Sequence, residues 1–334
     1  MKSNYRYIVK AFMAMAVIAG TTSCDDFLDR EPMSSISPET YYSTAAQLEA
    51  NLNDEYPNVL PSFGQWTYGI FGEDKGTDNQ IEVNANDRYT QDRWKVPHSE
   101  SDNWKFERIY RINFFLSEAL PKFGEDMSGS QNTISGSVAT IKHYIGEMYF
   151  LRAYEYFKKL QLFGDFPIIN QPLADEMEAL REASKRFPRN EVARFIISDL
   201  DKAYAYMSDV DMATTRINKD VAMLVKSRVA LFEATWLQNF KGTAFVPGGE
   251  GWPGASLHNN YQYPSGNIDN EVKYFLEQAV EASKLVADKY KGSLTENTGV
   301  LQQSADDPSN PYFDMFAQED LSDVKEVLLW RQYA

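Results

Sequence analysis

"GEMYFLRAYEYFKKLQLFGDFPII", Gly146 to Ile169, is the stretch on which the fold turns. Just before and into it, Ile141, Tyr144, Ile145 and Met148 keep the i, i+3, i+4, i+7 spacing of one helix face. From Tyr149 to Phe157 apolar side chains run nearly all round, which is the pattern of a buried helix. Gly164 stops the run and Pro167 lies just beyond it. The spacing therefore predicts one long helix over 138–163. Arg152 sits inside the apolar part, and a buried cation needs a partner. Glu155, three residues on, is the predicted one. Arg228 raises the same question further along.

Outward from this helix the same period recurs. Asn103 is the predicted cap of "WKFERIYRINFFLSEAL", 104–120, with Pro121 after it and a Gly/Ser-rich loop over 124–137. A helix is predicted over 190–207, with Val192, Phe195, Ile196, Leu200, Ala203 and Met207 as its apolar stripe. Another follows over 218–239, capped by Asn218, where Ala222, Ala230 and Ala234 permit close helix approach. A loop rich in Gly and aromatics fills 241–268, and Asp269 is the predicted cap of a helix over 270–290. A short helix is predicted over 45–53. "EVLLWRQY", Glu326 to Tyr333, is β-branched and aromatic enough to predict a short strand. Helix pairs with Ala and Tyr at packing positions point to a mainly α fold of tetratricopeptide-like hairpins, an α-α superhelix carrying long irregular loops.

The first 23 residues read differently. Lys2, Arg6 and Lys10 precede the apolar run "AFMAMAVIAG", and Thr21, Thr22 and Ser23 are small. That is the plan of a secretory signal peptide, and the run is too short to span a bilayer. Cys24, the single cysteine, cannot form an internal disulfide. Asp25 and Asp26 beside it oppose a thiolate. The position suits a lipidated first residue after cleavage, with an incidental cysteine as the bland alternative. The formal charge of −15 becomes −18 once the three leader cations are gone. Such acidity argues against nucleic acid and anionic lipid surfaces as partners.

Local catalytic signals are weak. His98, His143 and His258 are scattered and none lies in H-E-x-x-H, so no metal site is expected. Asp74, Asp78 and Glu82 could offer oxygens to calcium, but their spacing fits no EF-hand and reads as a solvated acidic loop. Gly249 to Gly254 satisfies G-x-G-x-x-G by chance, since Pro253 removes an amide and the motif follows a helix. With 48 acidic residues, carboxylate pairs are uninformative. No cofactor is expected. The loop aromatics carry more. Trp66, Tyr68, Tyr89, Trp94 and Trp252 lie among Gln65, Asn84, Asp87, Asp92 and Asn103. Flat rings stack on the C–H faces of sugars while amides and carboxylates bond the hydroxyls. Each ring alone could equally plug a small satellite core; together they favour a binding surface. Trp66, Tyr89 and Trp94 are the candidate stacking residues.

Several stretches then converge. "CDDFLDREP", Cys24 to Pro32, resembles the mature start of SusD/RagB-family outer-membrane lipoproteins. "WKFERIYRIN" resembles that family's W-x-x-x-Y-x-x-I-x-x-x-N element, with Tyr110 one or two places off its usual position. Gly146 to Ile169 resembles its long signature G-E-A-R-F-L-R-A-x-x-Y-F-x-L-x-x-x-Y-G-D-V-P-L, with Met148 and Tyr149 in place of Ala and Arg. "RFPRNEVARFIISDLDKAYAYM", "KDVAMLVKSRVALFEATW" and "AVEASKLVADKYKGSL" resemble the helices that follow. The resemblance implies helix hairpins bearing ligand-binding loops. It also implies a lipid anchor at Cys24 with Asp25 and Asp26 as an export address, and a place on the outer face of the outer membrane. There the family delivers glycans, or in some branches peptides, to a SusC-like TonB-dependent transporter, without being an enzyme. It divides the chain into a signal peptide, 1–23, and a SusD-like domain, 24–334. Within the latter lie a tether and first helix (24–60), an aromatic-rich loop region (61–103), a hairpin scaffold (104–290) and the start of a truncated C-terminal region (291–334). Two other readings stay open: a surface glycoside hydrolase using a carboxylate pair, and an interaction scaffold without sugar affinity.

Overall fold

The computed structural model describes residues 41–61, 80, 91, 103–124, 126–208, 212–301, 304 and 306–332. Their helices are α1 (Ala45–Val59), α2 (Glu107–Phe123), α3 (Val138–Phe163), α4 (Met177–Ala183), α5 (Arg189–Tyr206), α6 (Lys219–Asn239), α7 (Ile268–Tyr290) and α8 (Pro311–Phe316), with a 3-10 turn at Pro253–Ser256. All from Tyr42 onward belong to one compact unit. The fold is mainly α, as the periodicity predicts.

The central helix, α3, has the predicted bounds. The Ser137 side chain accepts from the Thr140 amide at its start, and Gly164 ends it with φ of 69°, a left-handed conformation that a side chain would resist. Tyr144 to Ala153 and Glu155 to Phe157 are buried without a break. The long apolar run is therefore the core, with other helices on several of its sides.

Ion pairs and ring contacts show how the helices run. Gly146 lies against Ala203 and Met207, Arg152 meets Asp199, Tyr156 meets Phe195, and Asp165 accepts from the Arg189 amide. Numbers rise along α3 as they fall along α5, so the two are antiparallel. Arg189–Glu233 and Lys226–Asp201 set α5 against α6 in the same way. Lys289–Asp220, with Lys241–Asp269 just past the helix end, does so for α6 and α7. The result is the predicted run of antiparallel hairpins.

Five expectations are corrected. Arg152 does not pair with Glu155. It donates from Nε and Nη2 to Asp199 at 2.6 and 2.8 Å, and from Nη1 to Asn113 Oδ1 and Asn170 O. Asp199 is fully buried on α5 and would otherwise be an uncompensated charge; Glu155 meets Lys158 and Lys159 instead. Arg228 is exposed on α6. The helix predicted from Trp104 begins at Glu107 and runs through Pro121, because Trp104 is drawn into ring contacts with Phe106, Phe163 and Phe166. The cap of α7 is Asn267, whose side chain accepts from the Asn270 amide, while Asp269 pairs with Lys241. The strand predicted at Glu326 to Tyr333 does not form over its described part, to Gln332. There Trp330 donates from its backbone and from Nε1 to Thr214 O and Oγ1, so the segment docks on the α5–α6 connection rather than on another strand.

Candidate ligand-binding cleft

Four candidate residues from the sequence, Cys24, Trp66, Tyr89 and Trp94, lie outside the described residues, as do Tyr68, His98 and the acidic trio Asp74, Asp78 and Glu82. Trp252 is described, and it lines a cleft of about 590 Å³ where the C-terminal end of α3, the start of α5, the end of α6 and the 241–263 loop meet. This is within the range of small-ligand sites.

The cleft is built from the Gly164–Asp165 turn upward. With α3 ended at Gly164, Asp165 turns toward the start of α5. Its Oδ1 accepts from the Arg189 amide at 2.9 Å and its Oδ2 from the Trp252 indole at 2.7 Å. Burial pushes the Asp165 carboxyl above its ordinary range, against the Trp252 and Arg189 donors that favour the charge. Trp252 is thereby fixed as a buried wall, at 5% exposure, with His258 stacked on it.

Arg189 forms the floor. Its Nε and Nη2 donate to the fully buried Glu233 at 2.9 to 3.2 Å, and its guanidinium lies 4.1 Å from the Trp236 ring centre. Burial raises the Glu233 carboxyl, with Arg189 opposing. The pair is thus an internally neutral support that holds a half-buried indole in place. Trp236 Nε1 donates to the Phe245 carbonyl, and the Phe245 ring stands 61% exposed at the mouth. The loop itself is tied down by Tyr263 to Pro247 O, Tyr261 to Asn190 and His258 Nε2 to Arg186 O.

Aromatic surface and hydrogen-bonding side chains, Gln161 and Arg186 among them, face one volume. That arrangement can stack a ring and bond its substituents. Asp165 is the one carboxylate in the described lining, and both its oxygens are engaged. His143 is buried, bonded to Ile217 O and Glu147. Among the described residues no group of three or more His, Cys, Asp or Glu is placed to hold a metal ion, and no helix is long and apolar enough to cross a membrane.

A second cavity, of about 500 Å³, lies between α1, α3 and the Leu329–Gln332 segment, with Tyr56, Phe150, Tyr154 and Trp330 in its lining. Its walls offer fewer charged side chains. Sequence reasoning missed Arg186, Arg189, Trp236 and Phe245. The spacing of Trp236, Phe240 and Phe245 before a Gly-rich loop was the available signal.

Residues 26–231 match the SusD-like family described as "Starch-binding associating with outer membrane". The chain is 25% identical to SusD-like protein P2 of Formosa agariphila, over 72% of this chain and 46% of that protein. It is 25% identical to SusD-like protein P25 of the same organism, over 64% and 41%. It thus spans less than half the length of these curated relatives. A solved SusD-like carbohydrate binding protein from Bacteroides vulgatus is 13% identical with a TM-score of 0.42, over 77% of this chain and 47% of that one. A SusD-like protein from Bacteroides fragilis is 20% identical with a TM-score of 0.39, over 64% and 39%.

Proposed function

The chain belongs to the SusD-like family, and from that premise we propose that it is a non-enzymatic glycan-binding protein of the outer membrane. In this reading it is anchored through a lipid on Cys24, faces outward, and passes oligosaccharides to a SusC-like TonB-dependent transporter. Binding needs no cofactor. The observation that carries the reading is the cleft: an exposed Phe245 ring and a supported Trp236 beside Arg186, Arg189 and Gln161. A sugar ring would lie on the aromatic surface with its hydroxyls toward Arg186 and Gln161. The one carboxylate in the described lining has both oxygens engaged, which favours capture over glycoside hydrolysis by a carboxylate pair.

Phe245→Ala tests the cleft. The ring is exposed and its backbone carbonyl, which Trp236 uses, is retained. Glycan affinity by calorimetry is expected to fall roughly fivefold, about 1 kcal/mol, at unchanged melting temperature. Unchanged affinity in the folded variant would remove the cleft from the reading. Release of new reducing ends on incubation with the bound polysaccharide would favour the hydrolase. For the partner, a crosslinked pull-down from outer membranes with Cys24 native is expected to recover a large TonB-dependent barrel. Recovery of the lipidated protein alone would count against delivery.

A further inference from the structure

We infer that the glycan taken by this cleft carries carboxylate groups, as uronic acid units do, and that Arg186 is the side chain that recognises them; this rests on the glycan-binding reading above. The charges of the cleft single this residue out. Arg189 is spent on Glu233 through Nε and Nη2. Asp165 is engaged by the Arg189 amide and the Trp252 indole. Arg186 also lines the cleft, and among the described residues no carboxylate lies within ion-pair distance of it. Neighbouring Glu182 is paired with Lys185 at 2.6 Å, so it does not offset the charge.

Arg186 is nevertheless held in place. Its guanidinium lies 4.5 Å from the Trp104 ring centre, and its carbonyl is bonded by His258 Nε2 at 2.8 Å. Trp104 is itself packed edge-on against the stacked rings of Phe163 and Phe166. A guanidinium stacked on a fixed indole keeps its donor edge free, and that planar edge matches a carboxylate with two parallel hydrogen bonds. In a chain of net charge −15, an arginine without an acidic partner beside exposed aromatic surface is placed for an anion brought by the ligand. Phe245 provides the stacking surface for the ring that bears it.

The test uses matched pairs. A panel of polyuronates, such as polygalacturonate, alginate and glucuronan, is titrated beside the carboxyl-reduced form of each, which keeps the linkage and loses the charge. The expected result is that at least one polyuronate binds roughly tenfold or more tightly than its reduced form. Arg186→Ala should bring that ratio close to one with the circular dichroism spectrum unchanged. Arg186→Lys, which keeps the charge but loses the two-pronged donor, should retain only part of it. Equal binding of native and reduced forms, or a preference undiminished in both variants, overturns the inference and leaves glycan binding standing. Failure of the unaltered protein to bind any member of the panel overturns the inference, and failure to bind neutral glycans as well overturns the glycan-binding reading with it.

Discussion

Gly146 sits where α3 meets the end of α5. A Cβ there would lie 2.8 Å from the Met207 amide nitrogen and 2.9 Å from the Ala203 carbonyl oxygen, both backbone atoms that cannot swing away. Gly146→Ala is expected to destabilise the fold by about 1–3 kcal/mol through forced separation of the two helices. Chemical denaturation would show a lower midpoint at constant slope, and an unshifted midpoint would refute the close-approach argument. The neighbouring residues of the stretch have equally local tasks. Glu147 accepts from Tyr56 and Arg216, Tyr156 bonds both polar groups of the Ile169 backbone, and Asp165 caps α5. At this scale the sequence is legible in kind but not in partner. A buried Arg152 announces that it must be paired, yet its acid lies 47 residues away on another helix, and no spacing rule reaches that far.

Helices were the most legible elements, because a 3.6-residue period survives wherever one face is buried. Their ends were less so. Trp104 looked helical by composition, but ring packing took it out, and Asp269 lost the capping position to Asn267 two residues earlier. The Glu326–Tyr333 segment had strand composition and found no strand to pair with in its described part. Between elements, Glu271 offers a test with a defined sign. Burial alone would push its carboxyl up, but donors from Arg194, Asn190 and Ser265 outweigh this and hold it below the ordinary range. A carboxyl lowered on folding contributes stability that is complete above its unfolded value, about 4.3, and is lost as pH falls through the folded value. The stability gap between the unaltered protein and Glu271→Gln should therefore be widest near neutral pH and narrow as pH drops below about 4. A gap independent of pH over that range would show that Glu271 does not link α5 to α7 through its charge.

At the scale of the whole molecule, the hairpin stack followed from periodicity and from the family resemblance together, whereas the cleft did not. Its walls come from four separate stretches, around Asp165, Arg186, Trp236 and Trp252, which only the antiparallel register of α3, α5 and α6 brings to one end. The stacking residues expected from the sequence, Trp66, Tyr89 and Trp94, lie outside the described residues, so the cleft stands beside that expectation rather than in place of it. The same convergence has an optical side. Trp236 and Trp252 line the cleft, and Trp104 lies under the Arg186 guanidinium at its edge. Three of the four indoles among the described residues are thus close enough to sense an occupant. Trp330 lines the other cavity and stays out of that neighbourhood. The protein therefore carries an unlabelled reporter of its own occupancy: filling the cleft alters the polarity and quenching around one set of indoles, so intrinsic emission follows ligand entry with no dye attached.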